Sequence, residues 1–156
     1  MNLIWHYTSN FHLEKILKSQ TLKVSEAERL YGLKPAVWFS KNSIWEPTAT
    51  KMIFNGIKVI LLTPEEQLSM IGMMRIAIEY NSSLISWAKY KYVSKIPISL
   101  YNDMEKAGKE KGAKPSDWYC SFKNIPSSQW KSIETYDGQN WLLYQGKVSH
   151  PSVINP

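Results

Sequence analysis

Trp130-Lys131-Ser132-Ile133-Glu134-Thr135-Tyr136, followed by Asp137-Gly138 and then Asn140-Trp141-Leu142-Leu143-Tyr144, is the stretch that decides the fold class. Two aromatic-rich runs around an Asp-Gly pair read as a hairpin, because the tight turns that match strand twist need positive φ at their central residues. A third aromatic run, 117–122, precedes them, so the C-terminal third reads as an antiparallel meander. Moving toward the N terminus, Met74-Arg75-Ile76-Ala77-Ile78-Glu79-Tyr80 alternates. Met74, Ile76, Ile78 and Tyr80 share one face and Arg75, Ala77 and Glu79 the other, the two-residue period of a strand.

Helical signals lie between these strands. Thr63-Pro64-Glu65-Glu66 is a capping box, with a hydroxyl at the N-cap, Pro at the first helical position and Glu three residues on. A helix of about eight residues is expected after it. Residues 102–114 are rich in Lys and Glu and predict an exposed helix ending at Gly112. Leu13 to Lys18 carries apolar side chains at three- and four-residue spacing, with Ser9 or Asn10 available as cap. Leu3 to Thr8 and Pro35 to Ser40 read as short strands, Thr21 to Lys34 as a loop with room for one helical turn, and Trp45 to Lys51 as the start of a helix with Pro47 near its first turn. Asn55-Gly56 marks a turn before a strand at 57–62. The class is α+β: one domain over residues 1–156, with a mostly antiparallel sheet and flanking helices.

Composition narrows the class of protein. A chain of 156 residues with 44% apolar residues forms one core, and seven Trp, nine Tyr and four Phe exclude a disordered tail. The longest apolar run, Val59 to Leu62, is far short of the roughly 20 residues a membrane span needs, and the first residues lack a basic segment followed by an apolar one. No membrane partner is expected. A single cysteine, Cys120, can form no internal disulfide, which makes a cytoplasmic setting the default. The net charge of +6 favours anionic partners, but only Arg29 and Arg75 of the basic residues are arginine, so the lysines serve solubility first.

Several chemistries are absent from the sequence. No glycine-rich phosphate loop and no serine nucleophile elbow occurs. His6, His12 and His150 are scattered without metal-ligand spacing, so no metal is expected. Cys120, flanked by aromatics, reads as a small buried hydrophobe rather than a nucleophile.

One constellation remains. The first strand ends Trp5-His6-Tyr7-Thr8, the second ends Val37-Trp38-Phe39-Ser40, and Trp45-Glu46-Pro47-Thr48-Ala49 follows. This order resembles the ADP-ribosyltransferase superfamily, in the branch of the poly(ADP-ribose) polymerases, the DarT-type DNA-modifying toxins and the tRNA 2′-phosphotransferases. That branch has a His on its first core strand, an aromatic strand ending in a small residue, then a Ser-Ala or Thr-Ala pair. His6, Ser40 and Thr48-Ala49 stand at the matching points, and Asp117 to Phe122, Ile125-Pro126 and Trp130 to Glu134 resemble the segment in which DarT-type enzymes present a catalytic Glu. The resemblance implies a split, mostly antiparallel ADP-ribosyltransferase-like sheet and NAD as substrate. It implies transfer of ADP-ribose to a nucleic acid or protein, as a bacterial toxin or phage-encoded effector.

The resemblance assigns roles residue by residue. His6 would bond the adenosine-side ribose, Tyr7 or a neighbouring aromatic would stack on nicotinamide, and Thr8, Ser40 and Thr48 would line the NAD site. Arg75 would hold the pyrophosphate. Where the family has its catalytic Glu this chain has Asp117, one methylene shorter, with Glu134 on the following strand as the alternative. A carboxylate is required because breaking the nicotinamide–ribose bond develops oxocarbenium-like charge. The plainer readings are a core His6, Arg75 paired with Glu79, Asp117 as a turn residue, and Trp118, Trp130 and Trp141 as core. Two other functions compete: a nucleotide- or nucleic-acid-binding module without turnover, and 2′-phosphate transfer from RNA to NAD, which would use more arginines.

Overall fold

A computed structural model describes residues 1–146; His150 lies outside the described residues. In chain order the elements are β1 (Leu3–Thr8), α1 (Leu13–Ser19), β2 (Thr21–Leu22), β3 (Val37–Ser40), β4 (Met52–Phe54), β5 (Val59–Leu61), α2 (Pro64–Met70) and β6 (Met74–Glu79). They continue with β7 (Ile85–Ser86), α3 (Trp87–Val93), α4 (Ile98–Glu110), β8 (Trp118–Ser121), β9 (Ile125–Pro126), β10 (Trp130–Tyr136) and β11 (Trp141–Leu143). Seven strands form one sheet in the order β11-β10-β6-β1-β3-β8-β7, antiparallel at every pairing. The described residues are thus a mixed α/β domain built on an antiparallel sheet.

Each sheet face buries its own core. The β6 alternation holds: Met74, Ile76 and Ile78 join Ile4, Val37 and Phe39 beneath α1, which contributes Leu13. On the other face Ala36, Trp118 and Cys120 pack against Trp87 and Tyr90 of α3 and Tyr101 of α4. The joint between the two central strands is weak. β1 and β3 are registered by a single pair, Trp5 opposite Ser40, whereas β1 and β6 pair along their full length.

Local signals translate directly. Thr63 Oγ1 accepts the Glu66 N–H and Glu66 returns a carboxylate oxygen to the Thr63 N–H, closing the capping box of α2. Asn55 Oδ1 accepts from the amides of Ile57 and Lys58, and Gly56 takes φ 92°, so the Asn-Gly turn joins β4 to β5. Met52, Phe54, Ile57, Val59 and Leu61 of this two-stranded ribbon are exposed, and among the described residues both of its outer edges are unpaired.

The meander is corrected. β10 and β11 form the expected hairpin, but β8 lies near the opposite end of the sheet, between β3 and β7. The chain between β8 and β10 leaves the sheet and pairs as β9 with β2, which separates the aromatic runs. Two smaller corrections follow. The helix expected from Trp45 is one 3₁₀ turn at Pro47–Ala49, and α4 starts at Ile98. The helical turn expected within the loop at 21–34 is the 3₁₀ turn at Ala27–Tyr31, preceded by the two-residue β2.

Candidate functional site

The weak joint opens a cavity. About 470 Å³ of space lies between the central strands and α4, a volume within the range of ligand pockets. His6 and Phe39 from one face of the sheet line it together with Trp5, Tyr7, Trp38 and Ser40 from the other. A full β1–β3 ladder would seal those faces from each other. Thr48, Glu46, Lys51 and Trp118 also line it, and Ala107 and Gly108 of α4, with Lys111 just after the helix, form the opposite side.

Four residues singled out in the sequence therefore meet: His6, Tyr7, Ser40 and Thr48. His6 Nδ1 lies 2.9 Å from the Trp38 carbonyl oxygen, and a carbonyl only accepts, so this nitrogen carries the proton. Burial pushes the His6 pKa down to about 4, leaving a neutral ring at pH 7 whose Nε2 is a hydrogen-bond acceptor. Tyr7 donates its hydroxyl to the Asn42 carbonyl at 2.5 Å, and burial raises its pKa to about 12. Its ring packs edge-on against Trp45, 5.1 Å between centroids.

The residue that organises this wall is Glu46, which the sequence reading did not single out. It is buried, and its carboxylate accepts four hydrogen bonds. Ser40 Oγ donates to Oε2 at 2.7 Å. Thr48 Oγ1 at 2.7 Å, the Thr48 N–H at 3.2 Å and Trp118 Nε1 at 3.1 Å all donate to Oε1. Both hydroxyl protons point at the carboxylate; Ser40 Oγ in turn accepts the Asn42 N–H at 3.1 Å, while Thr48 Oγ1 accepts no hydrogen bond among the described residues. The local signal was present in Glu46-Pro47-Thr48, an acid capping the first N–H groups of a short turn. The Ser40 and Trp118 partners are fixed only by the ladder that sets Ser40 opposite Trp118.

The remaining candidates stand apart from the cavity. Thr8 and Arg75 are not among its lining residues. Arg75 pairs with Glu134, not with Glu79: Nε and Nη2 lie 2.6 and 2.5 Å from Oε2. Glu79 meets Lys131 instead. The Arg75 guanidinium also donates to the Ser43 carbonyl and is held between the rings of Trp5 and Trp141, at 5.1 and 4.4 Å from their centroids. Glu134 accepts a further bond from Ser132 Oγ at 2.6 Å, so this carboxylate is fully engaged. Trp130 does not share Glu134's face, because a bulge between Trp130 and Ser132 turns it onto the opposite core.

Asp117 ends a 3₁₀ turn just before β8, its carbonyl accepting the Lys41 N–H at 2.9 Å, and it lies beside the cavity-lining Trp118 without lining the cavity itself. Cys120 is fully buried and its thiol is pushed up to about 12 by burial, which removes it as a nucleophile. Among the described residues no group of three or more His, Cys, Asp or Glu side chains comes together to hold a metal, and no helix is long and apolar enough to cross a membrane. Comparison with models of known families, with curated proteins and with solved structures finds no match for this chain.

Proposed function

We propose that the cavity binds NAD and that the protein transfers ADP-ribose from it to a nucleic-acid or protein acceptor. The observation that carries the reading is the meeting of His6, Tyr7, Ser40 and Thr48 in one cavity, although 42 positions separate the first from the last. His6 Nε2 and Thr48 Oγ1 offer acceptors there, beside a Ser40 Oγ that already accepts the Asn42 N–H, suited to the hydroxyl and carboxamide donors of a nicotinamide riboside. The bond from the ribose C1′ to nicotinamide breaks with its electron pair leaving on nicotinamide, and an acceptor lone pair forms the new bond to C1′ while its proton passes to solvent. Glu46 supplies a fixed negative charge beside the developing oxocarbenium, preorganised by its four donors.

A second reading, nucleotide binding without turnover, draws on the state of the carboxylates. Glu46 is saturated, Glu134 is ion-paired and Asp117 is off the cavity wall. Incubation with NAD, with and without cell extract, separates the two. Free nicotinamide supports transfer, a raised melting temperature without nicotinamide supports binding alone, and neither effect at millimolar NAD overturns both.

A further inference from the structure

Lysines, and no arginine, line the cavity: Lys23, Lys51 and Lys111. Lys51 is the best placed of them. Its N–H donates to Gln67 Oε1 at 2.7 Å and its carbonyl accepts the Leu62 N–H at 3.0 Å, so the backbone is held on both sides at the base of the β4–β5 ribbon. Its ammonium has no hydrogen bond and no ion pair among the described residues. Burial lowers its pKa, and after burial its charge is a further cause that lowers the His6 and His12 rings nearby. The one acidic residue on the wall is Glu46, whose oxygens are already taken by Ser40, Thr48 and Trp118.

A desolvated cation without a counter-ion is costly, and an anion entering the cavity removes that cost. An ammonium on a flexible stem suits phosphate oxygens as a point charge, while a cavity lined by Trp5, Trp38, Trp87 and Trp118 suits an aromatic base. We infer that Lys51, supported by Lys23 and Lys111, is the anion subsite of the cavity and holds the pyrophosphate of a small nucleotide. The inference rests on reading the cavity as a nucleotide site but requires no turnover, and it gives Lys51 the role the sequence suggested for Arg75.

Calorimetric titration of the whole protein with ADP-ribose, inorganic pyrophosphate and adenosine tests it. Lys51→Met is expected to weaken ADP-ribose and pyrophosphate at least tenfold and leave adenosine unchanged. Lys51→Arg is expected to stay within a few-fold of wild type, and Lys58→Met, on the exposed ribbon, to match it. Lys51→Gln repeats the measurement if the Met variant does not fold. Equal ADP-ribose affinity in wild type and Lys51→Met overturns the subsite and leaves the NAD reading standing. Lys51-dependent binding of pyrophosphate with no binding of ADP-ribose supports the subsite and sinks the NAD reading. No binding of any phosphate ligand at millimolar concentration overturns both.

Discussion

Arg75 and Glu134 sit opposite each other on β6 and β10, joined by two bonds of 2.6 and 2.5 Å and shielded by Trp5 and Trp141. Only about a tenth of either side chain is exposed, so removing one partner leaves a charge that water reaches poorly. Glu134→Gln is expected to cost about 3 kcal/mol of stability, read from urea unfolding at pH 7. Ligand affinity of the folded fraction should not move. A stability change below about 1 kcal/mol would show the pair to be solvated and open to a functional role.

Glu46 is expected to behave in the opposite way. Glu46→Gln removes the charge and turns an amide donor toward three groups that already donate, so nicotinamide release should fall by roughly two to three orders of magnitude. NAD affinity should change by no more than a few-fold, and Asp117→Asn should release nicotinamide as wild type does. Loss of release in Asp117→Asn with retention in Glu46→Gln would move the working carboxylate to the start of β8.

Acid should expose the His6 environment. The unfolded chain takes up a proton at His6 near pH 6.5, whereas the folded protein refuses it until about pH 4. The folded state binds fewer protons in that window, so stability is retained above 6.5 and lost as pH falls toward 4, by up to about 3 kcal/mol from this group. His6→Gln keeps a donor for the Trp38 carbonyl and removes the titration. Unfolding free energies at pH 7 and pH 4.5 should therefore diverge less in the variant; parallel losses would refute the buried neutral ring.

Gly108 lies inside α4, where alanine is the better helix former by roughly 1 kcal/mol. A Cβ there would meet the Trp118 ring at 2.3 and 2.6 Å, so the packing penalty, about 1–3 kcal/mol, outweighs the helix gain. Gly108→Ala is expected to lower the melting temperature and shift Trp fluorescence by displacing Trp118 from Glu46. A melting temperature at or above wild type would mean that Trp118 has another place to go.

What the sequence revealed was local. The Thr63–Glu66 capping box, the Asn55-Gly56 and Asp137-Gly138 turns and the β6 alternation each depend on residues a few positions apart, and each appears in the structure. The bulge beside Trp130 left no signal in the sequence, and it breaks the alternation along β10, since one extra residue shifts every following side chain. The α3 helix went unread because its buried side chains, Trp87 and Tyr90, form a short aromatic face with no long three-four stripe. His6, Ser40 and Thr48 were legible by their order along the chain. Glu46 was not, because its partner Trp118 is 72 positions away and arrives through the β3–β8 pairing.

The β4–β5 ribbon carries a colloidal consequence. Met52, Phe54, Val59 and Leu61 present an apolar face, with strand edges unpaired among the described residues, on a molecule whose net charge is +6. At low ionic strength that charge keeps copies apart. At about 0.1 M salt the repulsion is screened beyond roughly 10 Å, while the attraction between apolar faces is not weakened. Solubility should therefore decline as salt is added, the reverse of the salting-in common at low ionic strength, and Phe54→Lys should restore it.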